Sequence, residues 1–371
     1  MELDKSESAG LRVARVIAEL EQRFLRNRKQ VFTNAIKSGN FKSGVIAESE
    51  SFRNNNIKSI SAVIPTIRSL VEEEITASVE SGVRAVEITV DTYKKQGKEI
   101  EKPQEDFTAN IKDKRTAVTM GGILGIITIM LATTERQTSQ IASMVNVGAN
   151  NLYEEVDRVQ ANFLEKGITG KILRNGTEKE AFSEAEFLMR DFSHKTLLEA
   201  QGETAKAYKL NPLVKVSAHP SSCPLCSPWQ GRVLVDDVYQ GGIADCKHEL
   251  LSTAIGAGLG HYNCRHNWVN YVEGLDKPNI FEQDKQNKQK TAQNYAMEQR
   301  QREIERNIRK YKRVEEASLS ETKKQLASQK VAEWQAVQRE LIKTAKANGL
   351  NIYRQYSREQ IGGGTKPLKR V

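Results

Sequence analysis

All four cysteines of this 371-residue chain, and four of its five histidines, fall between His219 and His266. They read His219-Pro-Ser-Ser-Cys223-Pro-Leu-Cys226, then Cys246-Lys-His248, then His261-Tyr-Asn-Cys264-Arg-His266, and the only other such residue is His194. Thiolates and imidazoles are the side chains that grip zinc, and a Cys-x-x-Cys turn followed by a second Cys/His knuckle builds a tetrahedral site. The spacing therefore marks Cys223, Cys226 and Cys264 as metal ligands, with Cys246, His266, His261 or His219 as the candidate fourth. Spacing alone does not choose among these four. Cys264-x-His266 is tight for two ligands presented by one turn.

Three chemistries compete for this cluster: a structural zinc, unligated thiols and imidazoles packed in a core, and a catalytic metal or thiol. The structural ion is the expectation, because residues 213–274 contain few large apolar side chains and a module so built needs a staple. A catalytic zinc would need an open coordination position and a nearby acid or base. Asp245 and Glu249 are at hand but sit in no recognised pattern. His248-Glu249-Leu-Leu-Ser252 begins like the metalloprotease His-Glu-x-x-His, yet Ser252 stands where the second ligand belongs. Nothing in particular pairs Cys223 with a base as a nucleophile. Gly256-Ala-Gly258-Leu-Gly260 follows a helix-like segment and reads as a helix cap and turn rather than a nucleotide loop. No catalytic residue is assigned, and the expectation is a protein that is not an enzyme.

The elements that must hold this cluster are mostly helical. Val13, Val16, Ile17, Leu20 and Phe24 follow a helical period, and residues 59–95, 140–166 and 178–207 are similar. Val86, Ile88 and Val90 also alternate as a short strand would. Residues 94–110 are polar, include Pro103 and read as a linker. Within the cluster, 232–235 reads as a strand, 240–242 as a turn and 248–257 as a short helix. Residues 285–347 contain neither Pro nor Gly and should form one or two long helices. The fold class is mainly α: a helical region over 1–210, a small α+β Cys/His module over 211–276, a long basic helical segment over 277–350, and a flexible basic tail over 351–371.

One stretch of the helical region is unusual. Residues 116–134 carry no charge, and 11 of these 19 are apolar, 3 are Gly and 5 are Thr. A helix of that length spans about 28 Å, barely a bilayer core. The favoured reading is a buried central helix; the rival is a membrane-active segment using Gly121-x-x-x-Gly125 for close packing. The N-terminal residues lack the basic start and apolar stretch of a secretory signal, so the thiols are expected in a reducing cytoplasm, where metal ligation is favoured over disulfides.

Lys and Arg total 56 against 47 Asp and Glu, a formal charge of +9. The excess is local: residues 285–313 hold ten basic and three acidic residues. Arg300, Arg302, Arg306, Arg309, Lys310, Lys312 and Arg313 are therefore candidate nucleic-acid contacts through phosphate neutralisation. The competing reading is a solvated helix face. No base-reading helix is evident.

The strings Ser217-Ala-His219, Ser227-Pro-Trp229-Gln230-Gly231-Arg and Tyr262-Asn263-Cys264-Arg265-His266 together resemble the phage minor capsid protein 2 family. That family is similar in role to Mu F-like head-morphogenesis proteins, whose modules carry a Cys-x-x-Cys, a downstream Gly and an Asn-Cys-Arg ending. The resemblance resumes at residues 295–313 and at Trp334-Gln335, covering about 210–345. Many relatives resemble one another in carrying His at the place of Cys226 and lacking Cys223. The resemblance implies a minor structural protein of a tailed-phage or prophage head. It would be present in few copies, in the head interior or near the portal, and in the host cytoplasm during assembly. Portal and capsid proteins, packaged double-stranded DNA and an oligomeric assembly are the implied partners. The alternative is an internal effector ejected with the genome, acting through an enzymatic Cys/His module or a membrane-active apolar segment.

Overall fold

A computed structural model describes residues 3–103, 107–219, 221–261, 264–274, 285–350 and 352–361. In chain order the helices and strands are α1 (Leu3–Lys37), α2 (Phe41–Ala47), α3 (Ser49–Lys95), α4 (Thr108–Met144) and α5 (Leu152–Lys166). Then come β1 (Thr169–Ile172), β2 (Glu178–Glu180), α6 (Ala181–Ala207), β3 (Leu213–Val216), β4 (Val233–Val235) and β5 (Glu249–Leu250). The last are α7 (Leu251–Gly256), β6 (Trp268–Asn270), α8 (Lys285–Ala317) and α9 (Glu321–Ala347). The protein is 69% helical, with a small strand-bearing module holding the cysteines and histidines.

The chain forms two compact units from interleaved segments. One comprises Met1–Ala9, Val71–Thr119 and Met189–Glu298; the other comprises Gly10–Leu70, Met120–Leu188 and Gln299–Val371. This differs from the consecutive division expected from composition. Composition registers where residue types change, whereas α1, α3, α4, α6 and α8 each supply residues to both units. The tail from Gly362 onward lies outside the described residues.

In the first unit, Val79 packs with Ile111 and Ala200, and Val86 and Val90 pack with Ala205. Val86 and Val90 lie one helical turn apart and are buried, while Ile88 is exposed. The alternating pattern thus belongs to a helix, since a strand would have put Ile88 on the same face as its neighbours. Gly82 lets the first unit's part of α3 approach α6: a Cβ there would lie 2.4 Å from the Leu197 carbonyl oxygen. The four-stranded sheet has the order β5-β4-β3-β6, with β3 antiparallel to both β4 and β6 and β4 parallel to β5. The sheet lies against α6, where Gln201 Nε2 donates to the Trp268 carbonyl at 2.9 Å. At Gly202 a Cβ would meet Tyr239 Cβ at 2.3 Å, so only glycine permits this approach.

In the second unit, Val31, Phe32, Phe41, Phe52, Ile141, Val145, Val156 and Val159 form a core cluster. Asn151 caps α5 by accepting from Tyr153 N and Glu154 N at 3.1 and 3.4 Å. β1 and β2 are a hairpin around Asn175-Gly176, with Gly176 at φ 79°. That turn makes Glu178–Glu180 a strand, so the helix expected from 178 starts at Ala181. The α8–α9 connection is held by the buried Asp157 carboxylate, which accepts from Leu319 N, Ser320 N and Ser320 Oγ, each at 2.8 Å.

The uncharged stretch lies in α4, which is long and apolar enough to cross a membrane by length and composition. Met120, Ile123, Ile126, Ile127 and Met130 turn inward, with Thr133 and Thr134. Ala117, Val118, Gly121, Leu124, Gly125 and Thr128 are exposed. The most apolar window is 39% buried, so the stretch is one-sided rather than wholly sheltered.

Candidate metal centre

The first arm of the site is the turn between β3 and β4. The Cys223 carbonyl accepts from Cys226 N at 3.2 Å and Ser227 N at 3.0 Å, closing the Cys-x-x-Cys loop into a single tight turn. A 3-10 turn, Ser227–Trp229, follows and buries Trp229 beside Cys226, Leu198, Leu234 and Trp268. The Arg232 guanidinium lies over the Trp229 ring at 5.3 Å. The second arm comes from the segment between α7 and β6. There Gly258 (φ 110°) and Gly260 (φ 71°) turn the chain, and Cys264 N donates to the His261 carbonyl at 2.8 Å.

The two arms bring five donors together. Cys223, Cys226 and His261 have ligand atoms within 4.8 Å of one another, and so do Cys226, Cys264 and His266. Cys226 belongs to both groups. Cys223 Sγ stands 2.8 Å from His261 Nε2, Cys226 Sγ 3.5 Å from Cys264 Sγ, and Cys264 Sγ 3.5 Å from His266 Nδ1. These groups could hold a metal ion. Cys226 and His266 are 1% and 3% exposed, while Cys223, His261 and Cys264 are half-buried. The hydrogen bond between the Cys226 and Cys264 thiols holds the Cys264 thiol well below its ordinary value and drives Cys226 upward.

Of the candidate fourth ligands, the fold brings in two and leaves two out. His261 and His266 are in the groups; Cys246 and His219 are in neither. Cys246 is exposed, at φ 62°, in a loop where Asp245 accepts from Lys247 N, His248 N and the His248 ring. His219 directs Nε2 at Ser217 Oγ (2.8 Å) and stacks edge-on against His266, ring centroids 4.7 Å apart. Burial and the neighbouring His266 push its imidazole down to about 4. Ser252, in the place of a second metalloprotease histidine, takes its backbone N–H to Asp237 at 2.9 Å, at the start of α7.

The family-motif residues surround the ligands. Gln230 Oε1 is 3.2 Å from His266 Nε2 and accepts from His219 N at 2.6 Å. Arg265 pairs with Glu298 at 3.3 Å. Gly231, at φ 74°, donates its N–H to the Val216 carbonyl at 3.0 Å. Asn263 lies outside the described residues. Sequence reading missed His194 and Asn267: His194 Nε2 is 2.6 Å from Asn267 Oδ1, and its ring meets Trp268 edge-on. No spacing signal links residues 73 positions apart, so only the fold joins them.

Two basic residues of α8 are committed inside the protein. Arg309 and Arg313 are each 3% exposed, and both hold Glu180. Their guanidiniums outweigh the burial that would raise the Glu180 carboxyl and hold it far below its ordinary value. Arg302 pairs with Glu305, Lys310 with Glu165 and Arg300 with Glu303, while Lys312 is half-buried. Arg306 is exposed and, among the described residues, has no ion pair. Arg309 and Arg313 are therefore corrected from phosphate-facing to core-facing, because a buried Glu180 needs countercharge.

The protein is mainly helical, and the groups that could hold a metal are gathered in one small α+β module. A sequence model of the phage minor capsid protein 2 family matches residues 46–343, and the chain belongs to that family. The match extends well upstream of residue 210, where the motif resemblance begins. Membership makes this a minor capsid protein of the virion. No curated protein and no solved structure matches the chain.

Proposed function

We propose that this minor capsid protein acts in head assembly beside the portal, as part of an oligomeric assembly with portal and capsid proteins. The observation that carries this reading is α9. Only Ala327, Gln338 and Ala345 of its 27 residues are buried, while Leu326 and Val337 are 53% and 41% exposed. Eleven residues apart, these two share one face of the helix. Between them Lys330 and Glu333 pair with each other at 2.7 Å. Apolar ends around a self-neutralised pair suit a protein surface better than a polyanion.

Packaged double-stranded DNA is the narrower second partner. It rests on the exposed Arg306, with Arg300 beside Glu303, since Arg302, Arg309, Lys310 and Arg313 are ion-paired and Lys312 is half-buried. The Cys/His cluster serves as a staple in this reading. Zinc is the ion its thiolate and imidazole donors favour.

Purified heads before and after genome ejection provide the test. Retention in emptied heads, with chemical cross-links from α9 to portal or capsid protein, is the expected result. Loss of the protein from emptied heads overturns it in favour of an internal effector.

A further inference from the structure

We propose that Cys223, Cys226, Cys264 and His266 bind one zinc ion, with His266 ligating through Nδ1 and His261 serving as a hydrogen-bond donor to the Cys223 thiolate. The donors form two overlapping groups that share Cys226, Cys223–Cys226–His261 and Cys226–Cys264–His266, and a four-coordinate ion seated at the second takes its fourth ligand from the first. Two bonds of about 2.3 and 2.05 Å at a tetrahedral angle place sulfur and nitrogen roughly 3.6 Å apart, and two sulfurs roughly 3.8 Å apart. The Cys264 Sγ to His266 Nδ1 and Cys226 Sγ to Cys264 Sγ separations are both 3.5 Å, close to those spacings. The tight Cys264-x-His266 interval, which sequence reading marked as awkward, thus presents both donors to one point.

His261 is different. Its Nε2 stands 2.8 Å from Cys223 Sγ, a hydrogen-bond distance rather than the spacing of two ligands on one ion. The second nitrogen of His266 strengthens the choice. Nε2 faces Gln230 Oε1 at 3.2 Å and Ser222 Oγ at 3.4 Å. A carbonyl acceptor there holds the proton on Nε2 and leaves the Nδ1 lone pair toward the thiols, as second-shell partners of metal-bound histidines do. The His266 backbone N–H also reaches Cys264 Sγ at 3.3 Å, which supports a thiolate. Cys226, common to both donor groups, places the ion beside it, and the single turn that carries Cys226 also carries Cys223.

The role assigned to this ion rests on the staple reading, but the ligand set is tested separately from it. Full-length protein is expected to carry one zinc per chain by elemental mass spectrometry. Exchange for cobalt(II) should give tetrahedral d–d bands with thiolate charge transfer. Cys223→Ser, Cys226→Ser and Cys264→Ser should each lose stoichiometric metal, while Cys246→Ser and His261→Gln keep it. Because His266→Gln could simply fail to fold, His266→Cys supplies a second arm. It should still bind one cobalt with a stronger charge-transfer band from a fourth thiolate. Metal-free wild-type protein, or loss of metal in His261→Gln with a wild-type cobalt spectrum in His266→Cys, overturns the assignment. If the ligand variants lose metal but residues 213–274 keep native amide-exchange protection, the ligand set stands and the staple role fails.

Discussion

Gln230 Oε1 lies 3.2 Å from His266 Nε2, joining the Trp-Gln-Gly string to the Asn-Cys-Arg-His string across 36 residues of chain. The two most specific motifs of this sequence are therefore halves of one hydrogen-bonded unit. Gln230 orients the imidazole and, through the same oxygen, fixes the His219 backbone.

Gln230→Ala should weaken zinc binding by about 10- to 100-fold without removing a ligand, the size found for partners that orient metal-bound histidines. Competition against a chromophoric chelator measures this. Affinity unchanged from wild type would separate the motif from the metal centre.

Asp157→Ala should destabilise the second unit by about 1–3 kcal/mol, because it strands two partly buried backbone N–H groups at the α8–α9 turn. Chemical denaturation gives the magnitude, and hydrogen exchange should localise the loss to residues 318–323. A change below about 0.5 kcal/mol would mean that Ser320, which accepts from Lys323 N at 3.3 Å, caps α9 unaided.

Removing Arg313 alone should cost about 3–5 kcal/mol, since it leaves Glu180 and Glu21 short of countercharge in the interior. Arg306→Ala should change stability by no more than about 0.5 kcal/mol. If DNA is a partner, Arg306→Ala instead lowers DNA affinity and flattens its salt dependence, measured by fluorescence anisotropy over a salt series. Salt-independent binding, or none, removes DNA from the list of partners.

Burial pushes the Glu305 carboxyl up to about 7, with Glu186 and Glu359 adding to the rise and Arg302 and Arg309 opposing it. The folded protein then holds this proton more tightly than the unfolded chain does. Its contribution is fully present below about pH 4.5 and is lost as pH rises through about 7, by up to roughly 3 kcal/mol. Glu305→Gln should flatten that part of the stability–pH curve, followed by thermal melts from pH 5 to 8. An unchanged slope would place the titration elsewhere.

The exposed side of α4 separates the membrane reading from the soluble one. Leu124→Lys should leave the fold within about 1 kcal/mol of wild type, whereas Ile126→Lys, on the buried side, should unfold the protein. Liposome flotation of the wild type is expected to be negative. Flotation that Leu124→Lys abolishes would establish a membrane-active face.

Much of the site is legible in the amino-acid sequence. Crowded cysteines and histidines reveal themselves by type and spacing, and helical periods reveal themselves by the placement of Val, Ile and Leu. Ambiguity remained wherever one pattern satisfied two geometries. Val86, Ile88 and Val90 fit strand and helix equally until burial of Val86 and Val90 with Ile88 exposed decided for the helix. The Asn175-Gly176 hairpin was readable as a turn signal but lay next to a strong helical pattern, which absorbed β2.

By itself, the sequence determined the mainly helical class and the crowding of cysteines and histidines between His219 and His266, because these depend on local composition and periodicity. Tertiary structure decided that His266 faces the thiols while Cys246 stays outside, and that Arg309 and Arg313 point inward to Glu180, about 130 residues upstream. The physical reason is common to both. A ligand or an ion pair is completed by a partner from a distant element. The distance between distant elements is set by packing, which no local pattern encodes.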